Sequence, residues 1–167
     1  DKSKMEYGNL SPEDLAHAFG MKVAYPKLPE STDRVLFAEF IEPASVNIYM
    51  DAIERVDLSK VSSVIGSVNI ADILLLHELF HSIEEKHKKD IYTRTEKIKL
   101  WSIGFFEYKS GLVALSEIAA MGFAYKYGGL NFSPYLLDLI LVYGYSENEA
   151  SGLYEEMMEL AYERREQ

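Results

Sequence analysis

Asn69-Ile-Ala-Asp-Ile-Leu-Leu-Leu-His77-Glu78-Leu-Phe-His81-Ser-Ile-Glu-Glu-Lys86 is the stretch on which the reading of this chain turns. Asn69 is a good N-cap, and the residues after it continue without a breaker to about Lys86, which predicts one long helix. Its apolar residues (Ile70, Ala71, Ile73, Leu74, Leu75, Leu76, Leu79, Phe80, Ile83) fall on nearly every side. A helix with no polar face belongs in the centre of a domain.

Within it stands His77-Glu78-Leu79-Phe80-His81, an H-E-x-x-H pattern. Residues four apart share a helix face, so both imidazoles can reach one ion at about 2.0–2.1 Å from each nitrogen. Glu78 is turned by roughly 100° from His77, which leaves it beside such an ion and within reach of a water on it. Zinc brings the pKa of that water towards neutrality, and a carboxylate so placed takes the proton during attack on a carbonyl. The pattern is short and also arises by chance in exposed helices. Two imidazoles and a carboxylate inside the most apolar helix of a chain, however, are costly to bury without a partner. The expected cofactor is therefore Zn2+, with His77 and His81 as ligands and Glu78 as the catalytic base.

A third ligand is needed, and two residues compete. Glu117 is the lone carboxylate in Ser116-Glu-Ile-Ala-Ala-Met-Gly-Phe-Ala124, where the small Ala119 and Ala120 permit close packing on the first helix. His87 lies six residues after His81, the spacing of H-E-x-x-H-x-x-G-x-x-H. Glu84 occupies the glycine position of that pattern, in a Glu-Glu-Lys-His-Lys-Lys run that reads as a solvated helix end, and it resists the required backbone turn. Glu117 is the expected ligand and His87 an exposed histidine.

Working outward, Ser11-Pro-Glu-Asp opens a first helix that Gly20 stops. Met21–Tyr25 reads as a strand. Arg34–Ile41 and Val46–Met50 form a hairpin across Glu42-Pro-Ala-Ser45. Val46–Met50 is also a candidate edge strand above the site, able to pair with an extended peptide, with an ordinary sheet strand the simpler reading. Leu58–Ser67 reads as a short helix, and Thr93 to Glu96 has the spacing of a capping box for another. Leu112–Tyr127 is a helix ended by Gly128-Gly129, Ser133-Pro134 starts one more, and Ser146 to Glu149 caps the last. The expected fold class is α+β: a small antiparallel-containing sheet near the N-terminus, then a helical majority, in a single domain over residues 1–167.

Composition narrows the function. With 27 acidic against 17 basic side chains, the net charge of −10 repels phosphate backbones, so nucleic-acid binding by this chain is not expected. No cysteine is present, which removes disulfides, thiolate zinc sites and cysteine catalysis together. No run approaches the roughly 18 apolar residues that span a bilayer, and the charged start Asp1-Lys-Ser-Lys-Met has no apolar signal core. A cytoplasmic location without membrane attachment is expected. Gln167 is the only glutamine beside plentiful Glu and Lys, a bias that fits a thermophilic source.

The order helix, strand, hairpin, H-E-x-x-H helix, then a helix bearing Glu-x-x-Ala-x-x-Phe-Ala (Glu117, Ala120, Phe123, Ala124) resembles the ImmA/IrrE family of small metallopeptidases, from about Ser11 to Tyr127. The resemblance implies a zincin-like fold, a gluzincin-type site of His77, His81 and Glu117 with Glu78 as general base, and cleavage of a protein partner, often a transcriptional regulator. Phe80 stands where members commonly carry a small residue. The expected function is zinc-dependent hydrolysis of a peptide or protein substrate. The alternative is a zinc-bearing binding or regulatory domain with little turnover. Among the 12 tyrosines, Tyr92 and Tyr125 are candidates for steadying an oxyanion, with packing the simpler role for both. Leu153, Met157 and Leu160 form a packing stripe on the last helix, and His17 is expected to be structural.

Overall fold

The computed structural model describes residues 10–29, 36–103, 106–111 and 113–163. Helix α1 (Pro12–Ala18) begins where Ser11 accepts a hydrogen bond from the Asp14 backbone N–H, with proline in the first turn. It stops at Gly20, whose φ of +74° is open to glycine at no steric cost. Three short strands follow: β1 (Lys22–Ala24), β2 (Ala38–Ile41) and β3 (Ser45–Ile48). The hairpin expected from Glu42-Pro-Ala-Ser45 is present, with Phe40 opposite Val46 and Ile41 opposite Ser45.

The sheet order is β1-β3-β2, with β1 parallel to β3 and β2 antiparallel to it. The candidate edge strand is therefore at the centre, an ordinary strand of the sheet. Burial explains this: Val46 and Ile48 have no exposed surface, which fits a strand with neighbours on both sides. The edge is β2. Met50 also leaves the expected strand and opens the single-turn α2 (Met50–Ile53). Of Arg34–Ile41, residues 34 and 35 lie outside the described residues.

Helix α3 (Leu58–Ile65) is capped by Asp57 and ends at Gly66. The long helix α4 (Ile70–Lys86) starts at Asn69, whose side chain accepts from the Ala71 N–H. It is the hub of the fold, packing on α1, on β2 and β3, and most extensively on α6 (Val113–Gly128). Leu75, Leu76 and Leu79 on α4 are 2%, 1% and 0% exposed, as expected of a central helix. One cluster of buried side chains runs from Leu15 to Leu141.

The helix expected from Thr93–Glu96 is not there. Tyr92–Thr95 makes only a single turn, α5, after which the chain leaves as an antiparallel pair, β4 (Lys97–Ile103) with β5 (Phe106–Gly111). Thr93 does not cap a helix because its hydroxyl is spent on the buried Glu84 carboxylate. Beyond α6, helices α7 (Tyr135–Tyr143) and α8 (Glu147–Glu163) pack on each other, and Ser146 accepts from the Glu149 N–H as its capping pattern predicts. Leu112 lies outside the described residues. The molecule is α+β with a helical majority and a small mixed sheet. Among the described residues no single helix is long and apolar enough to cross a membrane.

Candidate metal centre

Helical pitch places His77 and His81 one turn apart on the face of α4 that meets α6. Their rings lie edge to face with centroids 4.9 Å apart, and their Nε2 atoms approach to 3.1 Å. Glu117 reaches across from α6. One carboxylate oxygen is 3.3 Å from His77 Nε2, and the other is 3.6 Å from His81 Nε2. The helices can come this close because the α6 surface behind Glu117 is small: Ala120 and Ala124 have no exposed surface. The imidazoles are largely buried, at 12% and 17% exposure, while the Glu117 side chain is half exposed at 51%. The site is thus rooted in the core and open on one side.

The donor set fits a zinc ion. Ligand atoms about 2.0–2.1 Å from a common tetrahedral centre stand about 3.3–3.4 Å from one another. The two Nε2 atoms are 3.1 Å apart, and each faces a different oxygen of the Glu117 carboxylate, at 3.3 and 3.6 Å. Two neutral imidazoles and one carboxylate are also the ligand chemistry of a catalytic zinc site with a free fourth position. Among the described residues, His77, His81 and Glu117 are the one such convergent group.

Glu78 lines the same cleft on the side of β2, where the Phe40 backbone contributes a hydrogen bond to its carboxylate. Burial raises its pKa to about 7, and the charges of Glu117 and Glu39 add to the effect against the opposing Phe40 bond. Burial and the neighbouring His81 charge push His77 below the usual imidazole range, which favours the neutral form a metal requires. A cleft of about 630 Å³ opens over these groups, lined by Ala38, Glu39 and Phe40 of β2, by His77, Glu78 and His81, and by Arg94, Ser116 and Glu117. A smaller hollow of about 280 Å³ adjoins it between β2, α4 and α7, with Asp138 beside Leu137 and Leu141.

The structure brings together His77, Glu78, His81 and Glu117, as the sequence predicts. His87 does not join them; it is the exposed C-cap of α4. Tyr92 and Tyr125 are exposed at 63% and 44%, and neither lines the cleft. His17 is exposed on α1. Phe80 does not obstruct the site; its ring packs on Phe123 with centroids 6.0 Å apart.

Glu84 is the residue that sequence reasoning missed. It is not solvated but 0% exposed. Its carboxylate accepts from the Thr93 hydroxyl and from Ser116 Oγ at 2.8 Å, and it pairs with Arg94 Nε at 3.1 Å. Burial opposes its charge, but the bonds from Thr93 and Ser116 and the charges of Arg94 and His81 hold its pKa below the usual carboxylate range. Helical spacing carried the missing signal: seven residues after His77 and three after His81, Glu84 shares their face.

Comparison of the chain with family models, with curated proteins and with solved structures returns no match.

Proposed function

We propose that this chain is a zinc-dependent hydrolase of peptide bonds, with His77, His81 and Glu117 as metal ligands and Glu78 as general base. The observation that carries the proposal is the convergence of two imidazole nitrogens and the Glu117 carboxylate, all within 4.8 Å of one another, with a half-buried carboxylate one residue along the same helix from His77. The zincin-like character of the fold and the resemblance to ImmA/IrrE metallopeptidases belong to this same proposal.

A zinc ion held there would acidify a water and polarise a substrate carbonyl. The chain's own residues supply the rest. Glu78 lies on the cleft wall between the ligand cluster and β2, close enough to β2 to take a backbone hydrogen bond from Phe40. In hydrolysis it accepts the proton as a water oxygen bonds to the carbonyl carbon. It then delivers that proton to the amine nitrogen as the C–N bond breaks. Among the described residues, strand β2 is paired on one side only, by β3. Its other edge can hold an extended peptide by main-chain hydrogen bonds and lay the scissile bond along the cleft. Half exposure of the Glu117 side chain favours this reading over a closed, purely structural zinc site, which would have no room for a fourth ligand from outside.

The test uses Glu78→Gln. Hydrolysis of a mixed peptide substrate by the zinc-loaded chain is expected to fall at least about 100-fold, the usual contribution of a positioned base, with zinc content unchanged. Undiminished hydrolysis by Glu78→Gln would contradict the assigned role.

A further inference from the structure

Glu84 sits one turn beyond His81 and contacts every element around the second imidazole except the sheet. Thr93 and Arg94 approach it from α5, and Ser116 approaches it from α6. Ser116 Oγ is at the same time 3.2 Å from His81 Nδ1. The directions of these bonds follow from what each group can do. An ionised carboxylate only accepts, so the one hydroxyl proton of Ser116 goes to Glu84. The Ser116 oxygen then has only lone pairs left for His81, and a lone pair can be met only by a proton on Nδ1. With that proton placed, the other ring nitrogen, Nε2, is bare and faces the Glu117 carboxylate at 3.6 Å.

We infer that Glu84, acting through the Ser116 hydroxyl, is a positioning residue that fixes His81 as its Nδ1–H tautomer and aims the bare Nε2 at the metal centre. The inference rests on the zinc site proposed above. It gives Ser116 two tasks, because Ser116 directly precedes Glu117. The bond that orients His81 also pins the turn of α6 that carries the third ligand, so one buried carboxylate sets two of the three donors. Partners of this kind typically change metal affinity by about 10–100-fold when lost. His77 has no such arrangement among the described residues, where its buried Nδ1 finds no hydrogen-bond partner. The two ligand imidazoles are therefore inequivalent, and only His81 depends on the relay.

Two readouts on the full chain test this. Long-range ¹H–¹⁵N correlation spectra of the wild type report the tautomer of each imidazole without any substitution. His81 is expected as Nδ1–H; the Nε2–H form would overturn the inference. Zinc affinity measured against a competing chelator is expected to weaken about 10–100-fold in Ser116→Ala and to remain near wild type in Ser116→Thr, which keeps the hydroxyl. Wild-type zinc affinity in Ser116→Ala would overturn the relay alone, whereas a wild-type chain that takes up no zinc would overturn the metal centre and the relay together.

Discussion

At the scale of single residues, burial means different things for apolar and for charged side chains. Leu79 and Glu84 are both 0% exposed on the same helix, yet they are buried for opposite reasons. Leu79 belongs to the main cluster of buried apolar side chains. Leu79→Ala is expected to lower unfolding free energy by about 2–5 kcal/mol in denaturant titration, the range for a leucine whose site cannot collapse. Glu84 instead satisfies two hydroxyls and a guanidinium. The proposed ligands His77 and His81 and the proposed base Glu78 were legible in the sequence because helix pitch converts spacing directly into position round the helix, and Glu117 was legible as the lone carboxylate of an apolar segment. Glu84 was not, since the Glu-Glu-Lys-His-Lys-Lys run suggests solvent. Only tertiary neighbours from α5 and α6 reveal that its first glutamate turns inward.

Among the elements, local chemistry read correctly wherever the chain's own caps decide the outcome. Asn69, Ser11 and Ser146 each accept a backbone N–H at the helix starts the sequence predicts. Asn69→Ala is expected to cost about 1 kcal/mol, seen as a lowered melting midpoint, because the Ala71 N–H at the head of α4 loses its acceptor. Gly66, which ends α3 with φ +71° and ψ −158°, occupies a region closed to other residues. A Cβ there would meet no atom within 4 Å, so any loss in Gly66→Ala reports backbone strain rather than a clash. A loss of about 1–3 kcal/mol is expected in the same assay, and an unchanged midpoint would remove the strain argument.

Sequence reading failed where a tertiary bond competes with a local one. Thr93-Arg-Thr-Glu96 has capping-box spacing, but Thr93 turns to Glu84 and the chain departs as β4. The alternation Lys97-Ile-Lys-Leu100 was a strand signal overshadowed by that box. Likewise, the hairpin was legible from its turn, whereas the parallel pairing of β1 with β3 was not. That contact joins segments about twenty residues apart, and no local pattern specifies it.

For the whole molecule, the net charge of −10 has a local focus. Glu78, Glu117 and Asp138 line one hollow together with His77, and no lysine or arginine lines it. Asp138 is exposed overall, but partial desolvation of its carboxyl in the hollow, with a further contribution from the Glu117 charge, raises its pKa. A carboxylate whose pKa is higher folded than unfolded holds its proton more tightly when folded. Its ionisation therefore removes stability as pH rises from the unfolded pKa, about 3.9, through the raised folded value. Asp138→Asn is accordingly expected to raise the melting midpoint of the metal-free chain at pH 7, with the gain vanishing below about pH 4. A gain that persisted at low pH would assign the effect to packing instead.

The same concentration of negative charge, with two imidazoles beside it, makes a divalent cation the natural completion of the site, and metal content decides that claim most directly. Elemental analysis should find about one zinc per wild-type chain, lost in Glu117→Ala and retained in His87→Ala. Retention of zinc in Glu117→Ala with loss in His87→Ala, or no zinc in the wild type after incubation with the metal, would contradict the account.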